Sequence, residues 1–372
     1  MLTFGIEEEY FITDLHTRRM VSQPSAAVLA ACRQAIGQGF AYEMFQGQIE
    51  VASPVFTASS EAADYLATVR HNLSRSLGEF GLGVVCAGSH PLAAWREQMP
   101  TAQVHFQQLF DDIQYVARRS VLCGLHVHVA VPASIDRIAV MNQVSPWLPL
   151  LLLLSCSSPF WDGSATGFQS YRQAACDEWP RMGVPEHFAD WPAYVRYLAL
   201  LQRVGAIKAD GNGWWGIRPA ARYPTLELRM TDACPRLADG LALATLFRVM
   251  VTHACGLEHP GADFSAEARW LLKENRWQAK RYGAAGTFAL GDQGATGTAQ
   301  EWLQRAQDTF AATAEAMGEP QLFGALRGLL ASGNSAVEQL RCHAAAQASG
   351  ADEQACLQQV VDQLLARSRG EL

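Results

Sequence analysis

Gly5-Ile6-Glu7-Glu8-Glu9-Tyr10-Phe11, near the start of the chain, decides how the fold is read. Successive side chains of a β-strand point to opposite faces. Read as a strand, the segment puts Glu7 and Glu9 on one face, about 7 Å apart by the strand rise. Two later stretches repeat the device. In Gly124-Leu125-His126-Val127-His128-Val129, the two histidines share a face opposite Leu125, Val127 and Val129. In Thr225-Leu226-Glu227-Leu228-Arg229-Met230-Thr231, Glu227 and Arg229 share a face opposite Leu226, Leu228 and Met230. A fourth stretch, Glu43-Met44-Phe45-Gln46-Gly47-Gln48-Ile49-Glu50-Val51, carries Glu50 among strand formers and is stopped by Ser53-Pro54. A solvated strand face usually mixes Thr, Lys, Ser and Gln. These faces offer carboxylates, imidazoles and a guanidinium. The pattern predicts an α+β fold, with an antiparallel sheet, helices on its apolar face and a cavity over its ionisable one.

Working outward, strand character is expected at 2–13, 82–87, 121–131, 214–218 and 224–232. Helical periodicity is expected at 59–80 (N-capped by Ser59 or Ser60), 102–118, 237–255, 263–279, 297–317, 320–331, 334–346 and 352–368. The Gly-, Pro- and Trp-rich stretches 160–190 and 208–222 read as ordered functional loops. No repeat or linker divides the chain. It reads as a single domain over 1–372, mixed sheet and helix to about 235 and mostly helical after.

With 372 residues, 49% of them hydrophobic and 17% charged, the chain can bury a large core, which excludes dominant disorder. Its net charge of -7 argues against nucleic acid or an anionic membrane as partner. The expected partners are small molecules, with a homodimer as the assembly in view. Nine scattered cysteines include no C-x-x-C pair, which fits a reducing, cytoplasmic setting. The N-terminus lacks the basic and apolar regions of a signal peptide. The most apolar stretch, Trp147 to Leu154, is far shorter than the ~20 residues a bilayer requires.

Carboxylates gathered on one face repel one another and are costly to bury without a partner. A hard divalent cation is the usual remedy. An oxygen-rich set with one or two imidazoles suits Mg²⁺ or Mn²⁺ better than Zn²⁺. Mg²⁺ is commonly shared with nucleotide phosphates, yet neither a P-loop nor a strand–GxGxxG–helix unit is present. Metals and arginines would then have to hold the phosphates of ATP.

The ordered set of motifs resembles the type 2 glutamate–cysteine ligases, carboxylate–amine ligases of the glutamine synthetase-like superfamily. It runs from Gly5-Ile6-Glu7-Glu8-Glu9 through Gln48-Ile49-Glu50, Cys123-Gly124-Leu125-His126-Val127-His128 and Ser158-Pro159-Phe160-Trp161. Ser170-Tyr171-Arg172, Trp214-Trp215-Gly216-Ile217-Arg218-Pro219, Thr225-Leu226-Glu227-Leu228-Arg229 and Glu274-Asn275-Arg276-Trp277 follow. The resemblance implies a glutamine synthetase-like sheet forming a funnel over two or three Mg²⁺ ions, and ATP-dependent joining of the glutamate γ-carboxyl to an amine such as cysteine. It implies Glu7, Glu9, Glu50, His126 and Glu227 as metal ligands, with Glu43 a further one. Arg229 would contact the transferred phosphoryl group beside Glu227, and Arg172 and Arg218 would hold substrate carboxylates. The residues alone leave open a metal-dependent hydrolase using His126 and His128, a phosphagen-kinase-like phosphotransferase, and a binding module.

For the remaining conspicuous residues, bland roles are expected. His90 should be structural, His253 and His259 should cap or follow a helix, and the cysteines should be buried small hydrophobes. Trp270, Trp277 and Trp302 should pack. Trp214-Trp215 could stack on adenine or pack in the core. Segments 205–216 and 283–297 are candidate lids over the nucleotide. Removing Glu227 from a repulsive cluster is expected to abolish ATP turnover while leaving the fold intact or steadier.

Overall fold

The computed structural model describes residues 1–207, 213–257, 265–291 and 294–370. Its main sheet comprises β1 (Phe4–Asp14), β2 (Phe40–Tyr42), β3 (Gln48–Ala52), β4 (Leu82–Val85), β5 (Leu125–Ala130), β6 (Ile217–Pro219) and β7 (Thr225–Leu228). The order is β6-β7-β5-β1-β3-β2, with β4 paired to the end of β1 beyond the reach of β5. Every pairing in it is antiparallel. The expected α+β architecture is therefore present.

The register follows from the period of two. Ile6, Tyr10 and Ile12 on β1 are buried with Val127 and Val129 on β5 and Leu226 and Leu228 on β7. Helices Ser59–Gly78 and Glu353–Arg369 pack on β4, and Leu237–Cys255 packs on β5. One charge shares this covered side. Glu8 is buried and takes two hydrogen bonds from Arg70 of the Ser59–Gly78 helix, at 2.6 and 3.2 Å, and one from Tyr10. Arg70 uses its other N–H groups on the Cys234 and Pro235 carbonyls, at 2.9 and 2.6 Å. With all three guanidinium nitrogens engaged, the pair ties β1 to a helix and to the chain leaving β7. Removing either partner would strand a buried charge, at a cost of roughly 3–5 kcal/mol.

Several elements differ from expectation. The first long helix starts at Ser59, but its cap is Ala58, and the Glu61 carboxylate accepts from the Thr57 and Ala58 amides at 2.7 and 3.1 Å. The helix expected over 102–118 is broken into Val104–Ile113 and Tyr115–Arg119 by Gln114, whose φ is 56°. Helices Ala26–Ile36, Arg137–Val144, Leu148–Ser155 and Trp191–Arg203 carried no expectation. Leu148–Ser155 is apolar on every side and buried throughout, so it has no periodicity to read. The helical run Arg137–Ser155 and the helix Leu237–Cys255 are long and apolar enough to cross a membrane, but most of each is buried inside the protein.

His90 packs as expected, fully buried, with its Nδ1 accepting from the Leu92 amide at 3.1 Å and its Nε2 3.2 Å from Thr13 Oγ1. His253 closes its helix, and His259 lies outside the described residues. Trp302 packs, whereas Trp270 and Trp277 are exposed on a helix whose buried side holds Leu272, Asn275, Arg276, Ala279 and Lys280. That helix turns a largely polar face inward, contrary to what its tryptophans suggest. Trp215 is buried against Phe188 and Tyr197. Of the proposed lids, 208–212 and 292–293 lie outside the described residues, and a short hairpin pairs Phe288–Ala289 with Thr296–Gly297.

Candidate active site

Strand register assembles the ionisable face. Glu7 on β1 stands opposite His126 on β5, Glu9 opposite Glu50 on β3, and Glu227 on β7 opposite His128. Donor atoms converge in three linked groups: Glu9, Glu43 and Glu50; Glu7, Glu50 and His126; and Glu7, His128 and Glu227. Within each, the atoms lie within 4.8 Å of one another. Glu50 and Glu7 are shared, so the groups form one chain. All six residues expected as metal ligands are in it. His128 is the addition, and its signal was in the sequence as the second histidine on the His126 face.

Within the chain, His126 Nδ1 and His128 Nε2 each lie 3.2 Å from a Glu7 oxygen. His126 Nε2 is buried without a hydrogen bond, 3.6 Å from Glu9 Oε1. Glu9 accepts from the Gly124 amide at 2.7 Å. A Cβ at 124 would meet Arg172 Nη2 at 2.3 Å and His126 Nε2 at 2.8 Å, so any larger residue there would displace both side chains. Glu227 is held on two sides, by Arg218 at 2.8 and 3.2 Å and by Arg229 at 2.5 Å.

The electrostatics divide the cluster. Burial and the charge of Glu43 push Glu9 up to about 8. Burial, with Glu43, Glu7 and Glu9 alongside, lifts Glu50 well above the carboxylate range, and burial raises Glu43 as well. Glu227 is buried too, yet Arg229 and Arg218 bring it down to about 2. In Glu7, burial is outweighed by the hydrogen bonds with His126 and His128, and its carboxyl lies far below the usual range. Burial, with Arg229 nearby, lowers His126 to about 4, so its imidazole is neutral at pH 7. Oxygen donors in excess of cations, and a neutral imidazole with a buried unpaired nitrogen, fit a hard divalent ion.

Two cavities meet at Glu7. One, of about 250 Å³, is lined by Glu9, Glu43, Glu50, Arg172 and Arg229, with Phe106, Trp179, Met182 and Trp214 as its apolar wall. The other, of about 340 Å³, runs past His128 between Phe4, Val55, Tyr223 and Pro224. Arg172 reaches the first, although its guanidinium also donates to the Thr231 carbonyl at 3.0 Å. Arg218 is engaged with Glu227 and the Gly213 carbonyl. It does not line the first cavity.

A family model, glutamate-cysteine ligase family 2 (GCS2), matches residues 3–359. The chain belongs to that family. A GCS2-type relative from Pseudomonas fluorescens, provisionally named glutamate–cysteine ligase 2, is 58% identical and aligns over 98% of this chain and 94% of its own. The fold is similar to that of a Francisella tularensis glutamate–cysteine ligase solved in complex with AMP, with a TM-score of 0.70 and 12% identity over 99% of this chain and 89% of that one. A bifunctional glutathione synthetase from Pasteurella multocida gives 0.69 at 17% identity, over 99% of this chain and 52% of that one.

A proton linkage follows for this GCS2 chain. A carboxyl whose folded value is raised contributes stability that is complete below its unfolded value and is lost as pH rises through the folded one. For Glu9 that window runs from 4.5 to about 8, and Glu50 is raised in the same sense. A cation must displace those protons to bind, so the stabilisation given by a fixed Mg²⁺ concentration should grow with pH. Thermal unfolding with and without Mg²⁺ at about pH 6 and about pH 8.5 measures it. A Mg²⁺ shift that is constant or shrinks with pH contradicts this electrostatic picture.

Proposed function

We propose that the protein is an ATP-dependent carboxylate–amine ligase that activates the glutamate γ-carboxyl as an acyl phosphate before attack by an amine, with cysteine a slow acceptor. The observation that carries the proposal is the Glu227–Arg229 pair, Glu227 on β7 and Arg229 just past its end, set beside Glu7 and His128. The family membership supports it.

A carboxylate does not react with an amine at neutral pH, because oxide would have to leave. In the proposed reaction, a glutamate oxygen attacks the γ-phosphorus of ATP and ADP departs. The amine nitrogen then attacks the acyl carbon and loses a proton, and phosphate leaves with the former carboxylate oxygen. The first step is phosphoryl transfer, which positioning and charge neutralisation govern. Mg²⁺ or Mn²⁺ held by Glu7, Glu9, Glu43, Glu50, His126, His128 and Glu227 would neutralise phosphate charge. Arg229 presents its guanidinium to the phosphoryl oxygens, steadied by Glu227. Arg172 would meet a substrate carboxylate, which its place in the lining of the first cavity supports, and Arg218 holds Glu227 in register. The apolar cavity past His128 suits a nucleotide base. The chain from 1 to 372 works as one unit, a reading supported by the hydrophobic core that runs continuously from Phe4 to Leu365. It acts in the cytoplasm, which its nine free thiols favour.

If the acceptor enters the cavity lined by Arg172, it meets a wall of Phe106, Leu109, Leu122, Trp179, Met182 and Trp214. Among the described residues Ser120 is the one neutral hydroxyl lining that cavity, which supports an acceptor other than a tightly recognised cysteine. Phosphate release from Mg·ATP at saturating glutamate, across a panel of amines, tests the reading. Release should require both glutamate and an amine, with cysteine turned over slowly and other small amines accepted. Release without either substrate contradicts the ligase. Fast turnover on cysteine alone contradicts the acceptor assignment.

A further inference from the structure

The helix Ala266–Tyr282 buries two cations, Arg276 and Lys280, which are 7% and 5% exposed. A buried cation is costly unless paired. These two share one carboxylate: Arg276 meets Asp177 at 2.7 Å, and Lys280 meets the other oxygen of the same group. Both line a cavity of about 510 Å³, together with Arg181, Lys273 and Glu186 and the rings of Tyr197 and Trp215. Four cations thus face two carboxylates, inside a chain whose net charge is -7. Among the described residues, Arg181 and Lys273 have no hydrogen bond or ion pair. The Nε atoms of Arg181 and Arg276 are buried without a hydrogen-bond partner. Lys280 is held below its usual range by burial, with Arg276 adding to the effect. The loop is shaped to this end. Arg181 and Gly183 both have left-handed φ, 58° and 81°, and a Cβ at 183 would lie 3.3 Å from the Arg276 guanidinium.

We propose that this cavity is an oxyanion site that takes the phosphate or carboxylate end of a small polyanion. Arginine forks and lysine point charges together match such groups. The site is separate from the carboxylate chain, although Met182 lines both this cavity and the catalytic one.

Calorimetric titration with inorganic pyrophosphate, and in parallel with citrate, tests the site in Mg²⁺-free buffer at low ionic strength. The comparison variant leaves the catalytic face, with its Arg172 and Arg229, unchanged, so the difference between the two proteins reports the basic cavity. The titration needs no turnover, so its result is independent of the ligase reading. The comparison protein is Arg181→Gln/Lys273→Gln, which removes two cations that have no ion pair among the described residues, Arg181 resting on the Trp214 ring at 5.7 Å, and should melt close to the wild type. The wild type should bind one equivalent of at least one anion, and the double variant should bind it at least tenfold more weakly. The tighter of the two probes names the headgroup, phosphate or carboxylate. Binding of neither anion by the wild type, or equal binding by both proteins, overturns the proposal.

Discussion

Glu227→Gln and Glu50→Gln should both lose roughly 10²–10³-fold in ligation rate, yet move the metal-free melting temperature in opposite directions. Both residues belong to the same chain of donors, so each loss would weaken the hold on the cation that neutralises phosphate charge. Their neighbours differ. Glu227 sits between Arg218 and Arg229, and its carboxyl is pulled down to about 2. Glutamine there takes from two largely buried guanidinium groups the one carboxylate both are hydrogen-bonded to, with Glu7 left as a more distant anion, at a cost of about 2–3 kcal/mol. The expectation from sequence, that removing Glu227 would relieve repulsion, is thereby corrected: repulsion is concentrated at Glu50, which faces Glu43, Glu7 and Glu9. Glu50→Gln should therefore raise the melting temperature of the metal-free protein. Melting curves without metal, alongside steady-state rates, measure both. A Glu227→Gln protein that melts as high as Glu50→Gln would mean that the two arginines do not depend on that carboxylate.

Arg229→Lys should depress kcat by about 10²-fold while changing the KM for ATP far less. Lysine keeps the charge but loses the planar fork that can hold Glu227 and face the phosphoryl oxygens together. Burial alone would lower the Arg229 guanidinium, but Glu227 more than reverses this, so it stays charged throughout the working pH range. Steady-state kinetics with ATP varied at saturating glutamate separates the two constants. Unchanged kcat would reduce Arg229 to an ion-pair partner of Glu227.

The sheet was legible because strand alternation is rigid. Once Glu7, Glu9, His126, His128, Glu50 and Glu227 are assigned to strand faces, antiparallel pairing leaves them little choice but to converge, and Arg229 follows just past the end of β7. Partnerships across long sequence separations were not legible. Nothing local to Glu8 announces Arg70, and nothing local to Arg218 shows that its fork closes on Glu227 rather than on a substrate. The helix Leu148–Ser155 was hidden by being apolar all round, and Gln114 broke a helix whose hydrophobic pattern continues across it. Trp270 and Trp277 misled for a related reason: hydrophobicity suggests burial, but in Ala266–Tyr282 the inward face is occupied by Asn275, Arg276 and Lys280.

Activation of the glutamate γ-carboxyl as an acyl phosphate is the central claim, and an isotope measures it directly. Glutamate labelled with ¹⁸O in its γ-carboxyl is turned over with Mg·ATP and a competent amine, and the released phosphate is analysed by mass spectrometry. The proposed route predicts one ¹⁸O atom in each phosphate formed, because the carboxylate oxygen that attacks phosphorus departs with it. Released phosphate free of label, with amide formed or not, would contradict the acyl phosphate and with it this reading of the Glu227–Arg229 face.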